Sequence, residues 1–175
     1  MYSSIFLLKI KSIKCRILSQ FVGFLNFKEI MEKLSVILED LIFEKGFSLR
    51  SLEKETGVSA NSFSKYLHGT TPTIFVAIKI CNYFCCSLDY LCGLDQNRKY
   101  EKLEGFNLNK FISRYEEILK TNGTSHYKFS KAKGISESCL RHWKYGQNPS
   151  LEILCKIAEA FDISLDYLTG LSDKK

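Results

Sequence analysis

The side chains with the most chemistry to offer are seven cysteines and three histidines. Cys81, Cys85, Cys86 and Cys92 form the one group dense enough to suggest a metal or a redox couple. Their spacing lacks the paired C-x-x-C ligands of common zinc sites, so small buried positions are the expectation for Cys81 and Cys86, and a redox role is the lesser reading of Cys85 and Cys92. His68, His126 and His142 are too scattered to form a cluster. No nucleophile motif, glycine-rich phosphate loop or paired-carboxylate signature appears, so a non-enzyme is expected, with no cofactor, no metal and no small-molecule ligand. What remains is hydrogen-bonding chemistry on two short polar segments, one carrying Asn61 and Lys65 and the other Arg141 and Lys144. An asparagine amide can pair bidentately with adenine, and an arginine or lysine can read guanine or hold a phosphate.

Such side chains need rigid carriers. The 175 residues suffice for one ordinary domain or two small ones. Composition is that of an ordinary soluble globular chain, 45% apolar and 25% charged, which excludes disordered, collagen-like and disulfide-dense classes. With only two prolines and abundant Leu, Ile, Lys and Glu, helices are favoured. An internal repeat decides the organisation. Residues 46–94 align with 123–171 at a constant offset of 77 without a gap, and 17 of the 49 positions are identical, far beyond chance. Pro72 falls on Pro149, and the ends SLDYLCGL and SLDYLTGL coincide, so Ser87, Asp89 and Tyr90 match Ser164, Asp166 and Tyr167. An amphipathic stretch precedes each unit, with Leu34, Leu38, Leu41 and Ile42 in the first and Phe111, Tyr115, Ile118 and Leu119 in the second.

Each unit reads as five short helices. In the first, Gly46 ends a helix, Ser48 caps a second running to about Thr56, and Gly57 makes a tight turn with Val58 pointing inward. Ser59 then caps a third from about Ala60 to Leu67, a fourth spans Ile74 to Tyr83, and Ser87 caps a short fifth. The second unit repeats this with Gly123, Ser125, Gly134, Ile135, Ser136, Gly146, Pro149 and Ser164. On the third helices Phe63 and Tyr66, or Leu140 and Trp143, set the buried face, and the residues between face outward.

Two short helices joined by a glycine-containing turn are the helix-turn-helix arrangement, whose second helix lies in the DNA major groove. Both units resemble the phage-repressor-like Cro family of bacterial helix-turn-helix domains, of the xenobiotic-response-element type. The second is closer, with GISESCLRHWKYGQNPSLEILCKIAEAFDISLDYLTGLSD following the family's turn, third helix, Gly and Pro break and terminal SLDYL. The resemblance implies an all-α chain of two tandem five-helix domains, 31–95 and 107–175, joined by a linker over 96–106. It implies a sequence-specific, double-stranded-DNA-binding transcription regulator, a repressor acting by occupancy, in the bacterial cytoplasm at the nucleoid. It maps base contacts to Ala60, Asn61, Ser62 and Lys65, and to Glu137, Ser138, Cys139 and His142, with Ser59 and Ser136 at the helix starts. Arg141, Lys144 and Lys128 extend the basic surface. Glu137 could accept from cytosine, but a simple preference for the positive helix N-terminus is the favoured reading.

Two departures bear on which unit reads DNA. Where the family usually has a small alanine on the second helix, the units have Glu53 and Ser130, and a glutamate at a close-packed position needs a partner or a displaced helix. The polar residue frequent at the start of that helix is Leu49 in the first unit and His126 in the second. Charge points the same way, since the net +6 divides into +4 over 1–30, −2 over 31–95, +1 over 96–105 and +3 over 106–175. The second unit is therefore the expected DNA reader, and the first a weakened one.

The connector LDQNRKYEKLEGFN, Leu94 to Asn107, could span roughly 46 to 50 Å when extended, against the ~34 Å between major-groove faces one turn apart. One chain could thus imitate a dimer on two half-sites; a homodimer in which one unit self-associates is the competing arrangement. A protein-interaction module, such as an antitoxin or assembly adaptor, is the alternative function. Residues 1–30 carry a basic amphipathic pattern with no counterpart in the repeat, and Met31 is the expected native start. No run of apolar residues suggests a membrane span, and the odd cysteine number without a secretory signal fits a reducing cytosol.

Overall fold

A computed structural model describes residues 27–173. The basic pattern over 1–30 therefore lies, apart from its last four residues, outside the described residues. Ten α-helices and no strand are found among the described residues, as two runs of five. The first run is α1 (Phe27–Lys45), α2 (Leu49–Thr56), α3 (Ala60–Leu67), α4 (Ile74–Phe84) and α5 (Leu88–Leu91). The second is α6 (Leu108–Thr121), α7 (His126–Lys133), α8 (Cys139–Lys144), α9 (Leu151–Phe161) and α10 (Leu165–Leu168). The chain thus folds as two tandem helix-turn-helix units.

Helix starts follow from serine chemistry. Ser48, Ser59 and Ser87 accept at Oγ from the backbone N–H three residues on, at 3.2, 3.1 and 3.1 Å, and Ser125 and Ser164 do so at 3.3 and 3.0 Å. Each such cap satisfies a donor that the helix itself leaves unpaired, typically about 1 kcal/mol. The turns within the helix pairs open on Gly57 at φ +67° and Gly134 at φ +62°. A left-handed residue there lets the next N–H close on the helix while the chain reverses, and glycine adopts it without a Cβ clash.

The expected amphipathic faces are buried. Leu34, Leu38 and Leu41 of α1, and Phe111, Tyr115, Ile118 and Leu119 of α6, belong to one continuous apolar core that runs through both units. α1 packs on α3 and α5; in the same way α6 packs on α8 and α10, and α5 meets α10 between the units. Cys81, Cys86 and Cys92 are all buried, whereas Cys85 is exposed. Cys92 is thus not one of the exposed thiols that a redox role would need.

Candidate nucleic-acid interface

α3 is held by its own apolar face. Phe63 is fully buried, Tyr66 nearly so, and their rings meet edge to face at 6.5 Å. With that face turned into α1 and α2, the opposite face presents Asn61 and Lys65 to solvent, flanked by the half-buried Ala60 and Ser62. The Ser62 hydroxyl is engaged with that of Ser59 at 2.8 Å.

Glu53 does not occupy a close-packed position. It is exposed, and its Oε2 accepts from Ala60 N at 3.2 Å, capping the first turn of α3 from α2. Of the two outcomes expected for it, a partner or a displaced helix, Glu53 finds a partner: its carboxylate uses the positive end of the α3 dipole, and in doing so holds a negative charge at the start of that helix. The equivalent Ser130 is fully buried and donates to Tyr127 O at 3.1 Å.

α8 departs further from expectation. It begins at Cys139 rather than near Glu137, because Glu137 and Ser138 form a turn, closed by Cys139 N on Ser136 O at 3.1 Å, in which the hydroxyls of Ser136 and Ser138 pair at 2.9 Å. Ser136 accepts from Ser138 N at a long 3.4 Å, and so caps the turn and not the helix. The buried face is Cys139 and Trp143, four apart, with Leu140 only half-buried. Cys139 is consequently withdrawn from the candidate base contacts: its Sγ faces inward, 3.7 Å from His126 Nε2.

His126, the polar residue at the start of α7, is likewise half-buried and bonded within the unit. Its Nε2 lies 3.2 Å from Glu137 O and its Nδ1 2.9 Å from Tyr115 Oη. A carbonyl oxygen only accepts, so Nε2 carries the proton and Nδ1 accepts from the tyrosine hydroxyl. Burial lowers the His126 pKa and pushes that of Tyr115 well up, so both stay neutral near pH 7. Around them Trp143 meets Phe111 at 5.1 Å and Tyr115 at 5.6 Å, edge to face. The chain Tyr115, His126, Glu137 carbonyl thus ties α6, α7 and the turn before α8 into one rigid support.

On that support Ser136, Glu137, Arg141, His142 and Lys144 are exposed, Ser138 is half-buried, and Lys128 is exposed on α7. Lys144 Nζ pairs with Glu116 Oε1 at 2.6 Å, while Arg141 has no ion pair among the described residues. Tyr145, 84% exposed, follows directly, and Lys131 stands 5.7 Å from the ring of the exposed Tyr127. Neither Tyr145 nor Lys131 is reached by motif reasoning. The available signal was the outward phase of each residue beside buried Trp143 and Phe129.

The comparisons with known proteins agree with this geometry. Residues 33–97 match the family described as Cro/C1-type HTH DNA-binding domain, and residues 113–168 match the family described as helix-turn-helix. No curated protein and no solved structure matches the chain. Each match contains one of the glycine-turned helix pairs, α2 with α3 and α7 with α8. The chain is therefore a Cro/C1-type helix-turn-helix DNA-binding regulator with two helix-turn-helix domains, of which the first matches the Cro/C1-type family and the second the general helix-turn-helix family.

Proposed function

We propose that the protein is a sequence-specific transcriptional repressor that lays α3 and α8 in the DNA major groove and acts by occupying its site. The observation that carries this reading is the exposed edge of α8, where Arg141 and His142 project from a helix locked by Trp143 and by the His126 support. A rigid reader loses little conformational entropy on binding, and a guanidinium offers the bidentate pattern that guanine matches. In this reading Arg141, His142 and Ser138 reach base edges from the second unit and Asn61 and Lys65 from the first. Lys128, Lys144, Ser136 and Ser59 contact phosphates, with Ala60 and Ser62 lining the groove wall. Glu137 serves the turn through its carbonyl and leaves its carboxylate in water. The domains comprise 31–95 and 107–175, with 96–106 between them, and the DNA partner implies an intracellular site of action.

The test is selection of genomic fragments by the purified chain at two salt concentrations, set beside the double variant Arg141→Ala, Lys144→Ala. A discrete site that weakens with salt and disappears in the variant supports the reading. A folded, monodisperse protein that enriches no fragment would overturn it in favour of a protein-binding role.

A further inference from the structure

The two units meet through the same segment of each. Leu165 N donates to Asp89 Oδ1 at 2.8 Å, and Leu88 N donates to Asp166 Oδ1 at 3.3 Å. At the repeat offset Leu88 corresponds to Leu165 and Asp89 to Asp166, so each bond is the other with the units exchanged. Such reciprocity is the signature of a two-fold axis, since a head-to-tail contact joins two different surfaces. The joint is dry: Leu88, Leu91, Leu165 and Leu168 have no solvent exposure.

The connector leaves no slack. Asn82 brackets Leu103, its Nδ2 donating to Leu103 O at 2.9 Å and its Oδ1 accepting from Leu103 N at 2.8 Å. Arg98 donates to Glu44 Oε2 and to Phe84 O, both at 2.6 Å. Phe106 then spans the units, 5.9 Å from Phe75 and 6.1 Å from Phe111 between ring centroids. The segment is a strap packed on the first unit, and the extended tether allowed by its length is not the state observed.

We infer that one chain acts as its own two-fold pair, so that its DNA element is an inverted repeat of two unlike half-sites bound without a second copy. This rests on the DNA reading proposed above. Readers related by a two-fold axis require half-sites in opposite orientation. The half-sites differ because the readers do: where the first unit presents Asn61 and Lys65, the matching positions of the second carry Ser138 and His142. A second copy is superfluous because α5 and α10 already cover each other.

The experiment uses the full chain and a random duplex library, with native mass spectrometry of the selected complex and an insertion of about five base pairs, half a helical turn, between the half-sites. The expected result is an inverted, asymmetric element with one chain per duplex. The insertion lowers affinity about a hundredfold, the scale on which two linked contacts exceed one. Asn61→Ala with Lys65→Ala alters selection in one half-site only, and Arg141→Ala in the other only. A direct repeat, a lone half-site, tolerance of the insertion, or two chains on a symmetric palindrome overturns the inference and leaves DNA reading standing. Enrichment of no sequence at all overturns both.

Discussion

Arg141 and Lys144 are three residues apart, yet they call for different behaviour. Arg141 is the unpaired cation at the edge of α8, so Arg141→Ala is expected to weaken binding by about ten- to a hundredfold and to relax preference at one base, the worth of a bidentate contact. Lys144 is shared with Glu116 across 2.6 Å. Its loss should weaken all sequences alike and lower the salt slope by about 1, as for a phosphate contact. Titrations of site and non-site duplexes at several salt concentrations separate the two. Glu53→Gln is predicted to act in opposite directions on two readouts. Removing the charge from the first turn of α3 costs about 0.3 to 1 kcal/mol of stability, while affinity for non-specific duplex rises at low salt. Unchanged affinity would show that this turn does not approach phosphate. Neither Glu53 nor His126 could be placed from sequence, because their partners, Ala60 N and the Tyr115 hydroxyl, are neighbours only after the helices pack.

At the scale of elements, legibility followed local chemistry. α3 was readable from end to end, since Ser59 caps it by accepting from Ser62 N and Phe63 and Tyr66 mark its inner face. α8 was not, because the Ser136 hydroxyl is taken up by Ser138, accepting from its N–H and pairing with its hydroxyl, in a turn that delays the helix by two residues. The end of α4, expected at Tyr83, falls one residue later at Phe84, but how α4 and α9 close was not legible. Both close on a left-handed residue that is not glycine, Cys85 at φ +53° and Asp162 at φ +51°, equivalent positions in the repeat. Substitution by glycine removes the Cβ strain of that conformation and sets it against a more flexible unfolded chain. Cys85→Gly and Asp162→Gly are each expected to raise stability by about 0.5 to 1 kcal/mol, read as a shift in denaturation midpoint at constant slope. A fall in midpoint would mean that the side chains themselves hold the helix ends.

For the molecule as a whole, the repeated SLDYL was plain in the sequence, but two equal segments say nothing about whether they touch. Their contact brings two carboxylates to one buried joint. Burial first, then the charge of Asp89, pushes the Asp166 pKa up to about 6, and burial raises Asp89 against the N–H of Leu165. A carboxyl whose folded pKa lies above its unfolded value favours the fold when protonated. That contribution is complete below about pH 4 and is lost as pH rises through 6, up to about 3 kcal/mol for Asp166. Asp166→Asn keeps an oxygen for Leu88 N without the charge. It should therefore melt several degrees above the parent at pH 7.5 and match it near pH 3. Equal gaps at both pH values would rule out ionisation as the cause. The same joint carries a consequence for synthesis. α5 is translated 77 residues ahead of α10, a delay on the order of 4 to 15 s at ordinary elongation rates. Throughout that interval the apolar α5 face and its carboxylate have no mate on their own chain. In that interval the matching surface is offered only by another copy of the chain, so an exchange of halves between nascent chains is the folding error to which this joint is exposed.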